Sequence, residues 1–164
     1  MTKKMTYIQA KTATDFKTAT ALILAYSKSL GIDLGFQDFQ KEIETLDKEY
    51  NAPKGALIIA EVDGQPAGVV AVHEFSEGVA ELKRLYVDPE FRHLGLGAQL
   101  AARIITKATD LGYRSIRLDT LPTMKGAQRL YKALGFRQID AYRFNPVEGT
   151  LYLEKNIMSS VSPK

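Results

Sequence analysis

A glycine-bearing turn, Arg92-His93-Leu94-Gly95-Leu96-Gly97, follows an apolar strand and precedes a long amphipathic helix. The first backbone N–H groups of a helix have no partner within it, and the helix dipole places its positive end there. Such a terminus binds phosphate, and glycines let an anion approach the backbone closely. Arg92 adds a permanent charge with paired donors. The segment therefore predicts a site for a phosphate-bearing cofactor.

Two familiar phosphate-binding classes do not fit this turn. A P-loop is excluded because no Gly-Lys-Ser/Thr sequence follows the glycines. A dinucleotide fold would use Gly95-x-Gly97 and a ribose-binding acid such as Asp119, but Leu100 stands where its third glycine belongs. Too little chain follows Asp119 to complete a dinucleotide-binding fold, so we exclude that fold as well.

The composition predicts one ordinary globular domain. The chain has 164 residues, 45% of them hydrophobic, and a formal net charge of +3. It has no cysteine and only two histidines, so we expect neither disulfides nor a metal site. We expect a single domain over residues 1–158 with a flexible tail at 159–164, a cytoplasmic location, and no nucleic-acid or membrane partner.

Apolar periodicity and turn residues predict the secondary structure. A capping box, Thr12-x-x-Asp15, opens a first helix that ends at Gly31, and a second helix spans residues 36–50. The remaining predicted helices cover residues 96–111 and 124–134. The predicted strands cover residues 6–10, 56–62, 67–73, 79–87, 115–119, 136–139 and 150–154.

The predicted order of elements is β-α-α-β-β-β-α-β-α-β-β, which is a mixed α/β domain. The turn Asp63-Gly64-Gln65-Pro66 makes the central strands an antiparallel hairpin. The strand–helix–strand unit from Val79 to Asp119 is expected to be parallel, with a right-handed crossover.

Three ordered motifs resemble the GNAT superfamily, the Gcn5-related N-acetyltransferases. Arg92-x-x-Gly95-x-Gly97 is similar to its Arg/Gln-x-x-Gly-x-Gly/Ala signature, and Glu81–Val87 looks like its fourth strand. Ala127-x-x-Leu130-Tyr131-x-x-x-Gly135-Phe136 is similar to its last helix and the strand that follows. The resemblance implies a mostly antiparallel sheet with one splayed parallel pair, and acetyl-CoA as the cosubstrate.

The resemblance also assigns residues to the cofactor. Backbone groups of Leu85, Tyr86 and Val87 would run alongside pantetheine. The turn and helix start would hold the pyrophosphate through Arg92, His93, Leu94, Gly95, Leu96, Gly97 and Ala98. The chain departs from many members at Met124, where they carry an asparagine, and we expect Met124 only to pack.

Acetyl transfer needs a neutral amine, and at pH 7 only about one lysine-like amine in a few thousand is neutral. A general base is therefore useful, and Glu81 matches the family's glutamate. The same residue type and position also fit a solvated strand carboxylate paired with Lys83 or Arg84. Partial burial, which raises a carboxyl pKa, would favour the base. The alternatives are Glu74, Glu77, His73 or a bound water.

The leaving thiolate needs a proton donor. Tyr131 matches the family's tyrosine near the sulfur, although the spacing of Ala127 and Leu134 also fits a core tyrosine. No cysteine and no Gly-x-Ser-x-Gly elbow is present, so direct transfer in a ternary complex is favoured over an acyl-enzyme.

The acceptor, a small-molecule or peptide amine, is expected between residues 31–36 and 142–149. Tyr142, Arg143 and Asn145 would orient it, and Arg143 suggests a carboxylate on it; a plain surface loop is the alternative. We thus predict an N-acetyltransferase that acts on a primary amine. A non-catalytic acetyl-CoA sensor, a longer acyl group and a homodimer stay open.

Overall fold

The computed structural model describes residues 3–30, 39–143 and 145–158. All seven strands in these ranges form one sheet in the order β1-β2-β3-β4-β5-β7-β6. The fold is the predicted mixed α/β fold, apart from one extra break in a helix. The elements are β1 (Met5–Gln9), α1 (Ala13–Leu30), α2 (Phe39–Glu44), α3 (Leu46–Glu49), β2 (Ala56–Val62), β3 (Gln65–Ser76), β4 (Val79–Val87), α4 (Leu96–Asp110), β5 (Ser115–Thr120), α5 (Lys125–Ala133), β6 (Arg137–Ile139) and β7 (Leu151–Asn156).

The first helix begins as its capping residues predict. The Asp15 backbone N–H donates to the Thr12 hydroxyl at 3.1 Å, and the Thr12 N–H donates to the Asp15 carboxylate at 3.2 Å. These two bonds satisfy donors that have no partner inside the helix. The capping box therefore fixes where α1 starts.

The prediction of one continuous second helix is wrong. Its expected start at residue 36 lies outside the described residues, and the rest is broken at Thr45 between α2 and α3. The Thr45 hydroxyl donates to the Lys41 carbonyl at 2.9 Å, a local bond that competes with regular helix geometry. The spacing of Ile43, Leu46 and Tyr50 continues across the break, which conceals it in the sequence.

The central strands form the predicted antiparallel hairpin. Asp63 and Gly64 at its turn have φ values of 51° and 83°, the left-handed conformation that two-residue hairpin loops need. Strand β3 runs to Ser76, three residues beyond the predicted end at His73. This extension pairs with the first residue of β4, Val79.

The parallel pair formed by β4 and β5 is short and then separates. The two strands pair only from Val79 to Glu81 against Ser115 to Arg117. Strand β4 nevertheless continues to Val87, and β5 continues to Thr120 against β7. Beyond Glu81 the backbone of β4 therefore has no β5 ladder. We call this separation the splay; it is the arrangement that the resemblance implies.

Two apolar clusters cover the two faces of the sheet. Leu100 and Ile104 of α4 pack on one face, and Phe16 and Ile23 of α1 pack on the other. All four side chains are buried, which removes apolar surface from water on both sides. No helix within the described ranges is long and apolar enough to cross a membrane.

A bulge in β4 ties the second face to α2. Arg84 has a φ of 62°, and the pairing of β3 with β4 is irregular beside it. Its guanidinium is buried and forms two bonds to Glu42, with Nε–Oε2 at 2.7 Å and Nη2–Oε1 at 2.8 Å. The bulge sets the direction of the strand just before Leu85, Tyr86 and Val87.

Candidate active site

The turn before α4 has the geometry of an anion site. Gly95 is the residue before the helix and has a φ of 77°, and His93 has a φ of 76°. A Cβ added at Gly95 would meet no atom within 4 Å, so the space beside the helix terminus is open. The Arg92 Nε donates to the Val87 carbonyl at 3.1 Å, which holds this cation against the end of β4.

A cleft of about 800 Å³ extends from this turn along the end of β4. A volume of this size is typical of ligand-binding clefts. Of the residues that the sequence assigns to the cofactor, Leu94 and Ala98 do not line it. Leu94 packs against the core, and the Ala98 side chain is exposed to solvent. The assigned residues that line the cleft are Leu85, Tyr86, Val87, Arg92, His93, Gly95, Leu96 and Gly97.

The opposite wall of the cleft comes from α5 and α1. Met124 lines the cleft, so the expectation that it only packs is incomplete. Tyr26 of α1 also lines it, with its ring 5.6 Å from that of Tyr86. Sequence reasoning missed these contacts because distant helices supply them. The other lining residues from this side are Ser29, Thr123, Lys125, Gly126, Ala127 and Leu130.

Glu81 is the last residue of β4 that pairs with β5, and it is 1% exposed. Its Oε1 is 2.8 Å from His73 Nε2. Its Oε2 is 2.6 Å from Arg143 Nη2 and accepts from the Tyr142 hydroxyl at 3.1 Å. Glu81 is thus not the solvated carboxylate, paired with Lys83 or Arg84, that the alternative interpretation predicts.

The pKa of Glu81 moves opposite to the expected direction. Burial alone would raise it, but the hydrogen bond from His73 and the positive charges of Lys83 and Arg143 outweigh burial. The pKa of this carboxyl is lowered to about 2. A carboxylate so strongly held in its charged form is a weak proton acceptor.

Tyr131 lies in the core between α5 and the sheet. It is 5% exposed, and its ring meets the Phe136 ring edge to face with centroids 5.5 Å apart. Burial raises the pKa of its hydroxyl well above 10, and the nearby Tyr26 and Asp119 raise it further. The hydroxyl stays protonated at neutral pH, which leaves it able to donate a hydrogen bond. Tyr131 is not among the residues that line the cleft, although its neighbour Leu130 is, so its place near the sulfur stays a prediction.

The three residues assigned to the acceptor converge on two buried carboxylates. Arg143 Nη1 is 4.0 Å from Asp119 Oδ2, while its Nη2 holds Glu81. Tyr142 stacks edge to face on Phe75 with centroids 4.9 Å apart. Asn145 accepts from the Val147 N–H at 2.8 Å, and its side chain acts in the lowering direction on the pKa of Asp119, which burial raises above its ordinary value. The surface-loop alternative does not describe these residues.

The other proposed bases have separate environments. His73 lies between two carboxylates, with Nδ1 3.7 Å from Glu49 and Nε2 against Glu81. Burial alone would lower the pKa of His73, but these carboxylates raise it above its ordinary value. Glu74 pairs with Lys54 at 3.1 Å, and Glu77 is exposed. Neither glutamate contacts Glu81 within the described part of the chain.

Residues 24–136 match the sequence profile of the family described as "Acetyltransferase (GNAT) family". The chain belongs to the GNAT acetyltransferase family. An uncharacterised N-acetyltransferase of Schizosaccharomyces pombe is 41% identical over 141 residues, which cover 85% of each protein. An N-acetylaspartate synthetase of Danio rerio is 30% identical over 141 residues, covering 82% of this chain but only 50% of that protein.

Solved structures show the same fold for this GNAT chain. An acetyltransferase of the GNAT family from Staphylococcus aureus has a TM-score of 0.77 at 20% identity, covering 94% of this chain and 99% of that one. A protein from Salmonella typhimurium, named as an acetyltransferase and solved with its cofactor acetyl-CoA, has a TM-score of 0.68 at 17% identity, covering 98% of each. These similarities confirm the seven-stranded mixed sheet with its parallel β4–β5 pair.

Proposed function

We propose that this chain transfers an acetyl group from acetyl-CoA to a primary amine by direct attack in a ternary complex. The observation that carries the proposal is the cleft, which joins a helix N-terminus to a strand end that has left its parallel neighbour. Acetyl-CoA supplies the thioester, and the Salmonella typhimurium protein of the same fold was solved with that cofactor.

The cleft residues fit a pyrophosphate with a long peptide-like arm. The N–H groups from Gly95 to Ala98 have no partner inside α4 and would bind the phosphate oxygens, with Arg92 beside them. Neither Gly95 nor Gly97 carries a side chain that would block this approach. The unpaired edge of β4 at Leu85, Tyr86 and Val87 offers backbone groups to the amides of pantetheine.

Tyr131 is proposed as the proton donor to the leaving sulfur. Its raised pKa keeps the phenol protonated, and nearby Tyr26 lines the cleft. The conjugate acid of a thiolate has an ordinary pKa near 8.5, and the thiolate sulfur accepts a hydrogen bond from such a phenol. The backbone of β4 beyond Glu81 is proposed to stabilise the carbonyl oxygen.

Glu81 is proposed to organise the acceptor side. Its bonds to His73, Tyr142 and Arg143 fix three side chains from two segments around one buried carboxylate. The low pKa that results from His73 and from the positive charges of Lys83 and Arg143 does not favour Glu81 as the direct proton acceptor. Its effect on catalysis would come from the placement of Tyr142 and Arg143.

The acceptor is proposed to be a small amine, with amino acids as the first class to test. The Danio rerio relative is named for the synthesis of N-acetylaspartate, although the chain spans half of that protein. The described acceptor side carries the Arg143 guanidinium and the hydrogen-bonding groups of Tyr142 and Asn145. These groups are suited to a short polar molecule.

Release of free thiol from acetyl-CoA, measured against a panel of amino acids, polyamines and peptides, tests the proposed function. We expect thiol release that depends on at least one amine class. Tight acetyl-CoA binding without amine-dependent release would favour the sensor alternative. Propionyl-CoA and butyryl-CoA in parallel reactions test the longer-acyl alternative, which predicts a faster reaction with the longer donors.

A further inference from the structure

A buried carboxylate, Glu81, and a half-buried one, Asp119, lie on the same face of the sheet, on either side of the splay. Glu81 is the last residue of β4 that pairs with β5, and its partner there is Arg117. Asp119 lies two residues after Arg117 on β5. Both oxygens of Glu81 are already within bonding distance of donors, from His73 on one side and from Arg143 and Tyr142 on the other. Glu81 is 1% exposed, and neither of its oxygens lacks a donor.

Asp119 differs because one of its oxygens is buried without a partner. No hydrogen-bond donor among the described residues reaches its Oδ2, and Arg143 Nη1 is 4.0 Å away. The Asp119 side chain is 16% exposed. A buried acceptor without a donor is destabilising. The atom therefore needs a donor, and it lies at the gap where β5 has parted from β4.

The groups around Asp119 make it the more basic of the two carboxylates. Burial raises the pKa of Asp119, and the Glu81 charge raises it further, whereas Arg143, Lys83 and Asn145 act in the lowering direction without reversing the rise. Tyrosines from several elements lie within electrostatic range: Tyr26 and Tyr131, together with Tyr142 and Tyr152. None of these phenols donates to Asp119 Oδ2 in the described part of the chain.

We propose that Asp119 is the catalytic carboxylate that receives the acceptor's ammonium on Oδ2 and takes its proton, while Glu81 is a positioning residue that holds Arg143 and Tyr142. This inference rests on the proposed acetyl transfer. It assigns the proton-accepting role to a residue on β5, where the resemblance assigned it to β4.

The protons and bonds of the step balance. The ammonium gives one proton to Asp119, and its nitrogen lone pair then forms the bond to the acetyl carbonyl carbon. As the carbon–sulfur bond breaks, its electron pair stays on sulfur. The nitrogen loses a second proton to solvent, and Tyr131 gives its proton to the sulfur and regains one from solvent. Asp119 returns its proton to solvent, so the products are an N-acetylamine, a thiol and one released proton.

The test is the pH dependence of kcat/KM for amine-dependent thiol release in the wild type and in three variants. Asp119→Asn removes the base with little change of shape, and Glu81→Gln removes the positioning charge. Asp110→Asn is the matched control, because Asp110 is exposed at the end of α4. Acetyl-CoA affinity and the free energy of unfolding, measured for each protein, separate loss of catalysis from loss of fold.

We expect Asp119→Asn to lower kcat/KM at neutral pH by about 10²–10⁴-fold, the usual contribution of a general base. The loss shrinks at high pH, where solvent deprotonates the amine. We expect Glu81→Gln to lower the rate by a factor that is the same at every pH, and Asp110→Asn to match the wild type. Asp119→Ala gives a second readout, because formate added to it restores part of the lost rate.

Wild-type rates and an unchanged pH profile in Asp119→Asn would overturn the role of Asp119 and leave the proposed function standing. The same holds if Glu81→Gln alone removes the fall in rate at low pH, or if formate fails to restore a folded Asp119→Ala. A wild-type protein that releases no thiol with any amine overturns the proposed function itself, and the role of Asp119 with it.

Discussion

In this site, the groups around a residue change the pKa that its residue type would suggest. The sequence allows Glu81 to be a base whose pKa partial burial would raise, yet His73, Lys83 and Arg143 lower that pKa to about 2. His73 is close in sequence, but Arg143 and Tyr142 come from a segment about sixty residues away, and only the fold brings them to Glu81. No local pattern could have predicted that arrangement.

Replacement of Tyr131 by phenylalanine tests the proton donor. We expect Tyr131→Phe to lower kcat by about 10²-fold, the lower end of the usual range for an acid–base group. Acetyl-CoA affinity should change little, because the ring and its packing on Phe136 remain. Tyr113→Phe, which removes another hydroxyl far along the sheet, is the control. A large loss of affinity with unchanged kcat would assign Tyr131 to packing alone.

The Glu42–Arg84 ion pair makes a prediction about stability. Removing one partner of a buried pair costs about 3–5 kcal/mol, because the other charge stays buried. We expect Glu42→Gln to reduce the free energy of urea unfolding by about 3 kcal/mol at pH 7. Glu44→Gln, an exposed change in the same helix, should stay within about 0.5 kcal/mol of wild type. Equal effects of the two changes would contradict this role.

The same pair predicts the direction of a pH effect. Burial would raise the pKa of Glu42, but Arg84 and Lys83 lower it below its ordinary value. Its stabilising effect is therefore present above the ordinary glutamate pKa and is lost as pH falls through the lowered one. The stability difference between wild type and Glu42→Gln should shrink in acid. A difference that stays constant down to acid unfolding would contradict the assignment.

At the scale of elements, two glycines at the start of α4 differ in their backbone conformation. Gly95 has a positive φ, so alanine there is strained by about 1 kcal/mol even though its Cβ meets nothing. Gly97 is helical, and its nearest atom to a built Cβ is 3.9 Å away, so alanine should be neutral or stabilising. Thermal unfolding of the two variants checks this order. A more stable Gly95→Ala than Gly97→Ala would contradict it.

The sequence predicts elements well where one signal dominates and poorly where two compete. The capping box at Thr12 and the hairpin at Asp63-Gly64 are local, and the structure has both. The break at Thr45 was missed because the apolar spacing runs through it. The cleft wall at Met124 and Tyr26 was missed because it depends on how α5 and α1 pack against β4.

At the scale of the whole molecule, the sheet and its helices form a frame that the ligand should stabilise. A ligand that binds only the folded state adds about 2.7 kcal/mol at a hundred times its Kd. We expect acetyl-CoA at that concentration to raise the free energy of unfolding by this amount. Gly97→Glu, which places a carboxylate in the cleft, should lose the shift. Equal shifts in both proteins would place the cofactor elsewhere.

The most direct test of acetyl transfer follows the donor, the acceptor and the protein in one reaction. Free thiol, acetylated amine and the intact mass of the protein are measured in the same samples, with and without amine. The account predicts equal amounts of thiol and acetylated amine, dependence of both on amine, and a protein that stays unmodified. Thiol release without amine, or acetyl groups on the protein in place of the amine, would contradict direct transfer.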